Sequence, residues 1–201
     1  MMRALPILAA LLLAGCGPLV QIGGNSPSPA ALYTLSATGP AAVPIGQVPV
    51  NMADAVTVQV PAVPGALQTL RIPVSVSDTA YQYVKASQWA EQPNRLFQRL
   101  LADTLVHGGI AVVDSRTAGV SGKRVLSGQL MAFGIDVRGS EPKVTVRYDA
   151  TLSTPAGLRQ RRFERDAPVA GIGGPEAAIA LNAVANLVAA DVAAWVGRSS
   201  G

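Results

Sequence analysis

Four groups of residues in this sequence have types and spacings that could do chemistry. The first is Cys16, the only cysteine among 201 residues, which follows the small pair Ala14-Gly15. A thiol placed there can accept lipid through its sulfur, with the chain cut in front of it. The second is a basic cluster, Arg159, Arg161, Arg162 and Arg165, joined by Lys143 and Arg147 on the preceding segment. Guanidinium groups chelate phosphate and carboxylate, so the cluster could contact acidic lipid headgroups or an acidic partner. A solvated strand face offset by Asp149, Glu164 and Asp166 is the plainer reading. The third is Gly171-Ile172-Gly173-Gly174 ahead of a helix, where bare backbone amides can approach an anion. No Lys-Ser/Thr follows it, and Pro175 removes one amide, so it does not read as a nucleotide site. The fourth is His107, the lone histidine, at a helix end beside Gly108. It reads as a cap rather than a base or metal ligand, because no second histidine exists and the carboxylates lack ligand spacing. No serine lies in a Gly-x-Ser-x-Gly elbow. These observations point away from an enzyme and from any cofactor other than covalent lipid.

The residues before Cys16 define its setting. Arg3 supplies a positive start, the run Leu5 to Leu13 is apolar, and Leu13-Ala14-Gly15-Cys16 has the form of a bacterial lipobox. The run is far short of the roughly 20 apolar residues of a membrane-spanning helix. Residues 1–15 thus read as a lipoprotein signal, and Cys16 as the site of S-diacylglycerol and N-acyl modification. An ordinary signal peptide with a chance cysteine, or an inert buried thiol, is the alternative. Two or three acyl chains hold firmly, at roughly 0.8 kcal/mol per buried CH₂. Gly17 stands where aspartate retains enteric-type lipoproteins at the inner membrane. The expected location is therefore the periplasmic face of the outer membrane, with the inner membrane as the alternative. A lone cysteine also excludes an intrachain disulfide, so the domain must be held by its core.

The formal charge of +4 loses Arg3 with the leader and becomes +3, a mild excess that does not suggest nucleic acid. Residues 16–31 are rich in Gly, Pro, Ser and Asn and read as a tether. Beyond it, residues 32–197 read as one domain and 198–201 as a tail. Ala31 to Leu35, Val56 to Val60, Leu70 to Val76 and Tyr81 to Val84 are strand candidates, with Pro73 demanding an edge or a bulge. Pro93 opens a helix whose Leu96, Phe97, Leu100, Leu101 and Leu105 share a face, ended by Gly108-Gly109. Ile110 to Asp114 reads as a further strand. Val125 to Arg138, Lys143 to Thr154 and Leu158 to Arg165 form a three-stranded meander, with Gly128 and Gly134 as expected bends. Lys143 to Thr154 alternates strictly, placing Val144, Val146, Tyr148, Ala150 and Leu152 on one side. A long alanine-rich helix follows Pro175, its expected buried stripe being Ala177, Ala180, Leu181, Val184, Leu187, Val188, Val192 and Trp195. The sum is α+β: a largely antiparallel sheet with two helices packed on one face.

Tyr33-Thr34-Leu35, and above all Trp89-Ala90-Glu91 followed by Phe97, Leu100, Leu101 and Leu105, resemble the ABC-type transport auxiliary lipoproteins, the PqiC-like family. The shared plan is a lipobox, a Tyr-x-Leu strand, and a short run ending in Trp-Ala-Glu that leads into an amphipathic helix. The resemblance spans roughly Leu32 to Trp195 and departs mainly in the Pro-rich stretch from Pro40 to Pro61. It implies a subunit working beside an MCE-type lipid transport system, with an MCE-domain protein and an ABC permease and ATPase as partners. On that resemblance Trp89 is singled out. It reads as a core residue packing on Phe97 and the sheet, with an exposed anchor for a partner or acyl chain as the alternative. An envelope-assembly or stress lipoprotein, or a domain that itself shelters lipid, are the other functional readings. Short edge strands and an alanine-rich helix also offer surfaces for self-association.

Overall fold

A computed structural model describes residues 31–39, 51–114, 119 and 122–198. The leader, Cys16 with its lipobox, most of the tether and the end of the tail lie outside the described residues. The strands are β1 (Ala31–Tyr33), β2 (Val56–Val58), β3 (Arg71–Ser75), β4 (Tyr81–Trp89), β5 (Arg124–Asp136), β6 (Lys143–Thr154) and β7 (Gly157–Pro168). The helices are α1 (Pro93–His107) and α2 (Gly174–Gly197), with a short 3₁₀ turn at Gly65–Leu67. One seven-stranded sheet runs in the order β1-β4-β3-β5-β6-β7, and β2 pairs with β5 beside that path.

The fold is α+β as the sequence indicates, but the sheet is mixed. The meander β5-β6-β7 and the β3-β4 pair are antiparallel. β1 runs parallel to β4, and both β2 and β3 run parallel to β5. β5 is long enough to take β2 along its first residues and β3 along its last, so the sheet forks there. Ile110 to Asp114 is not a strand: Val112 makes a single bridge to Val56, whose carbonyl accepts from Val113 N at 3.0 Å. With β2 only three residues long, there is no ladder for that segment to extend.

Pro73 sits in an interior strand, not at an edge, and is tolerated because the β3-β4 register shifts between Arg71 and Pro73. The irregularity in β5 falls at Met131, between Leu130 and Ala132, and not at the glycines. Gly128 and Gly134 serve close approach instead. A Cβ on Gly128 would strike the Asp149 carbonyl and the Tyr148 ring, and one on Gly134 would strike the Pro73 carbonyl.

The core lies between the helices and the inner face of the sheet. Val144, Val146, Tyr148, Ala150 and Leu152 of β6 are all buried, as their alternation demands. Two aromatic pairs bind the layers, Phe97 of α1 with Tyr148 of β6 at 5.3 Å and Phe163 of β7 with Trp195 of α2 at 5.6 Å, and a third, Trp89 of β4 with Phe133 of β5 at 5.3 Å, lies within the sheet. α1 begins at Pro93, and its polar face holds the neighbouring loop: Gln98 Nε2 donates to Val58 O and Asn94 Nδ2 to Pro61 O. Gly109, at φ +75°, provides the left-handed residue after it. α2 is apolar and long enough to span a membrane by length and composition. Half of its most apolar window is buried, which is the signature of a core helix. Leu187, expected in its buried stripe, is exposed instead, and Ala178, Ala185, Asn186, Ala189 and Val196 are buried.

Asn182 and Asn186 act together. Asn182 Oδ1 accepts from Ser36 N at 2.9 Å, and Asn186 Oδ1 accepts from Thr38 N at 2.8 Å and from Thr38 Oγ1 at 3.0 Å. Asn186 Nδ2 donates to Ser36 O at 2.9 Å and to Asn182 O at 2.8 Å. The segment after β1, far away in sequence, is thereby pinned along α2. Replacing the buried Asn186 with alanine removes its part-buried bonds to Ser36 and Thr38, and should cost about 0.5–1.5 kcal/mol. Urea unfolding measures this: Asn186→Ala should lower the midpoint more than Asn182→Ala, whose exposed bond water can replace.

Candidate functional surface

The outward side chains of the β6-β7 hairpin follow directly from its register. The turn at Pro155-Ala156 sets Thr154 opposite Gly157, and counting back along both strands sets Arg147 opposite Glu164 and Asp149 opposite Arg162. Directly opposed charges pair across antiparallel strands. Arg147 makes a two-pronged bond to Glu164, with Nε and Nη2 at 2.9 and 2.7 Å. Arg162 does the same to Asp149, at 2.6 and 2.7 Å, and Lys143 reaches Asp166 diagonally at 2.5 Å. That face therefore carries three cations answered by three carboxylates. The plainer reading of the basic cluster holds for these residues.

On the helix side of β7 the arginines differ from one another. Arg165 pairs with Asp191 of α2 at 2.7 Å. Arg159 lies over the Trp195 ring, 5.8 Å from its centre, and Arg161 lies over Phe163 at 5.1 Å. Of the five arginines read as contacts, Arg147, Arg162 and Arg165 make ion pairs, and the guanidinium carbons of Arg159 and Arg161 lie over the Trp195 and Phe163 rings. Arg161 and Arg162 also line an open groove of about 740 Å³, with Ala62, Ser127, Gln129, Asp149 and Gln160. At the hairpin tip, Leu158 is 70% exposed.

Trp89 is fully buried, so the exposed-anchor alternative fails. Its ring stacks on Phe133 of β5, and its Nε1 is buried without a hydrogen-bond partner. His107 lies against Gly39, where a Cβ would come 2.9 Å from Nδ1. The Gly171–Gly174 loop leads into α2 with Gly173 extended as N-cap and a proline in the first turn. A Cβ on Gly173 would meet the Glu176 carboxylate, so the chain's own anion already occupies that helix start. Among the described residues, no group of three or more His, Cys, Asp or Glu is placed to hold a metal ion. The pairings missed by composition were recoverable from the hairpin turn; the Asn182–Asn186 clamp had no local signal.

The described residues form a small α+β domain with two helices on one face of a mixed sheet. The chain belongs to the family of ABC-type transport auxiliary lipoprotein components, whose model matches residues 33–193. A crystal structure of a Xanthomonas campestris protein of family DUF330 superimposes with a TM-score of 0.66 at 19% identity, covering 84% of this chain and 96% of that one. A second crystal structure, of an uncharacterised protein, gives 0.61 at 18% identity, covering 85% and 97%. At such identities these two share the fold. No curated protein matches the chain.

The ion pairs carry a pH signature. Hydrogen bonds from Arg138 hold the Asp136 carboxyl down at about 2, and Arg162 and Arg147 likewise lower Asp149 and Glu164. Because these folded-state values lie below the unfolded values of about 4, the stabilisation is complete above that pH and is lost as pH falls through the folded values. Solvent screening keeps each exposed pair within about 1 kcal/mol. The urea midpoint should therefore be flat from pH 7 to 5 and fall below pH 4, and Glu164→Gln should reduce that fall. An unchanged acid limb in Glu164→Gln would remove the pair from the account.

Proposed function

We propose that this protein is a non-catalytic, lipid-anchored periplasmic subunit of an MCE-type ABC system that moves lipid between membranes. The observation that carries the reading is the family match across residues 33–193 behind a lipobox at Cys16. In this reading Cys16 bears S-diacylglycerol and N-acyl groups and seats the chain on the periplasmic face of the outer membrane.

Engagement falls to β7, where Arg159 and Arg161 on its helix side contact an acidic partner surface or headgroup. ATP hydrolysis and translocation belong to the ATPase and permease, and this chain contributes attachment and position.

Affinity purification from membranes should recover an MCE-domain protein with permease and ATPase, and recovering none of them would overturn the reading. Palmitate labelling should mark the wild-type chain and be lost in Cys16→Ser. Arg159→Glu with Arg161→Glu should reduce partner recovery at least about tenfold, the loss expected when charge complementarity is reversed. Circular dichroism of that variant should stay native, since neither residue anchors the core.

A further inference from the structure

α2 is apolar on two opposite sides, and the fold covers only one. Ile179, Ala183, Leu187, Ala190 and Ala194 form an exposed row, with Ile179 at 73% and Leu187 at 55% exposure. Their steps of four, four, three and four residues follow an 11-residue repeat, close to the natural 3.6 per turn, so the row runs nearly straight along the helix. Scattered exposed apolar residues need no explanation, but an aligned row centred on leucine marks a surface made for a partner.

We propose that a second copy of this chain covers the row, with the two α2 helices antiparallel about a two-fold axis at Leu187. A two-fold contact must be self-complementary, and the row satisfies this. Leu187 meets its own copy. Ala183, four residues before it, meets Ala190, three after. Bulky Ile179, eight before, meets small Ala194, seven after. Glu176, eleven before, falls beside Arg198, eleven after, and symmetry repeats that opposite-charge pair at the other end; both residues are exposed. A parallel pairing would instead place Glu176 on Glu176, Ile179 on Ile179 and Ala194 on Ala194, with repulsion, crowding and a gap. The charge pattern selects the antiparallel form.

The available area sets the strength. A 24-residue helix is about 36 Å long, and a strip about 10 Å wide along it buries about 700 Å² over both copies. Stable interfaces bury about 1,200 Å² or more. The dimer is accordingly weak in free solution and is favoured where both copies share a surface that raises their effective concentration. The inference uses no transport partner, but the shared surface that strengthens the contact rests on the proposed lipid anchoring at Cys16.

Cysteine crosslinking of the full chain in its native membranes tests it, because Cys16 is the only other cysteine and wild type serves as the control for it. On mild oxidation with copper-phenanthroline, Leu187→Cys should give about tenfold more disulfide dimer than Leu158→Cys, the proximity effect of a preformed contact. Leu158 is a fair reference because it is even more exposed and lies off the row. The pair Ile179→Cys with Ala194→Cys should crosslink, and neither alone should exceed the reference. Three results overturn the proposal: Leu187→Cys at the Leu158→Cys level, dimer from Ile179→Cys alone, or a crosslinked product whose mass shows a different protein. Leu187 is outside the core, so the variant keeps its fold, and native circular dichroism confirms that the readout is of contact.

Discussion

The structure depends on burying one face of β6. Val144, Val146, Tyr148, Ala150 and Leu152 stand between the other two meander strands and beneath the helices, and each side chain of that size contributes about 1.5–3 kcal/mol when taken out of water. No disulfide can share the task, because the chain has one cysteine. The helices are positioned by what they lay on that strand and its neighbours: Phe97 on Tyr148, and Trp195 on Phe163. A charge or cavity at Tyr148 would therefore loosen α1 and the meander together.

The same strand decides the character of the surface. Because side chains alternate, burying one face turns Thr145, Arg147, Asp149 and Thr151 outward, where Arg147 and Asp149 complete ion pairs with β7. Exposed pairs of this kind add little stability, but they set polarity and register, and they guard a twelve-residue edge strand against unwanted pairing. Three of the basic residues of the hairpin are spent on its own carboxylates. Arg159 and Arg161 lie over the Trp195 and Phe163 rings.

Membership in a family of transport auxiliary lipoproteins fits a domain of this build. Its groove is open, and two charged side chains around it, Asp149 and Arg162, pair with each other. The segment just after β1 is fastened to α2 through Asn182 and Asn186.

Local pattern was enough to read both helices, the meander and the inward face of β6, because a period of 2 or 3.6 residues records which side of an element meets the core. Strand direction was not legible in that way: β2 and β3 run parallel to β5 because of where long connections return them, which no local spacing encodes. Burial of Trp89 and exposure of Leu187 were decided by tertiary packing, since an apolar side chain carries no mark of which neighbour will cover it. The Asn186 clamp belongs with these, for it joins residues about 150 positions apart, and only the folded chain brings them within hydrogen-bond range.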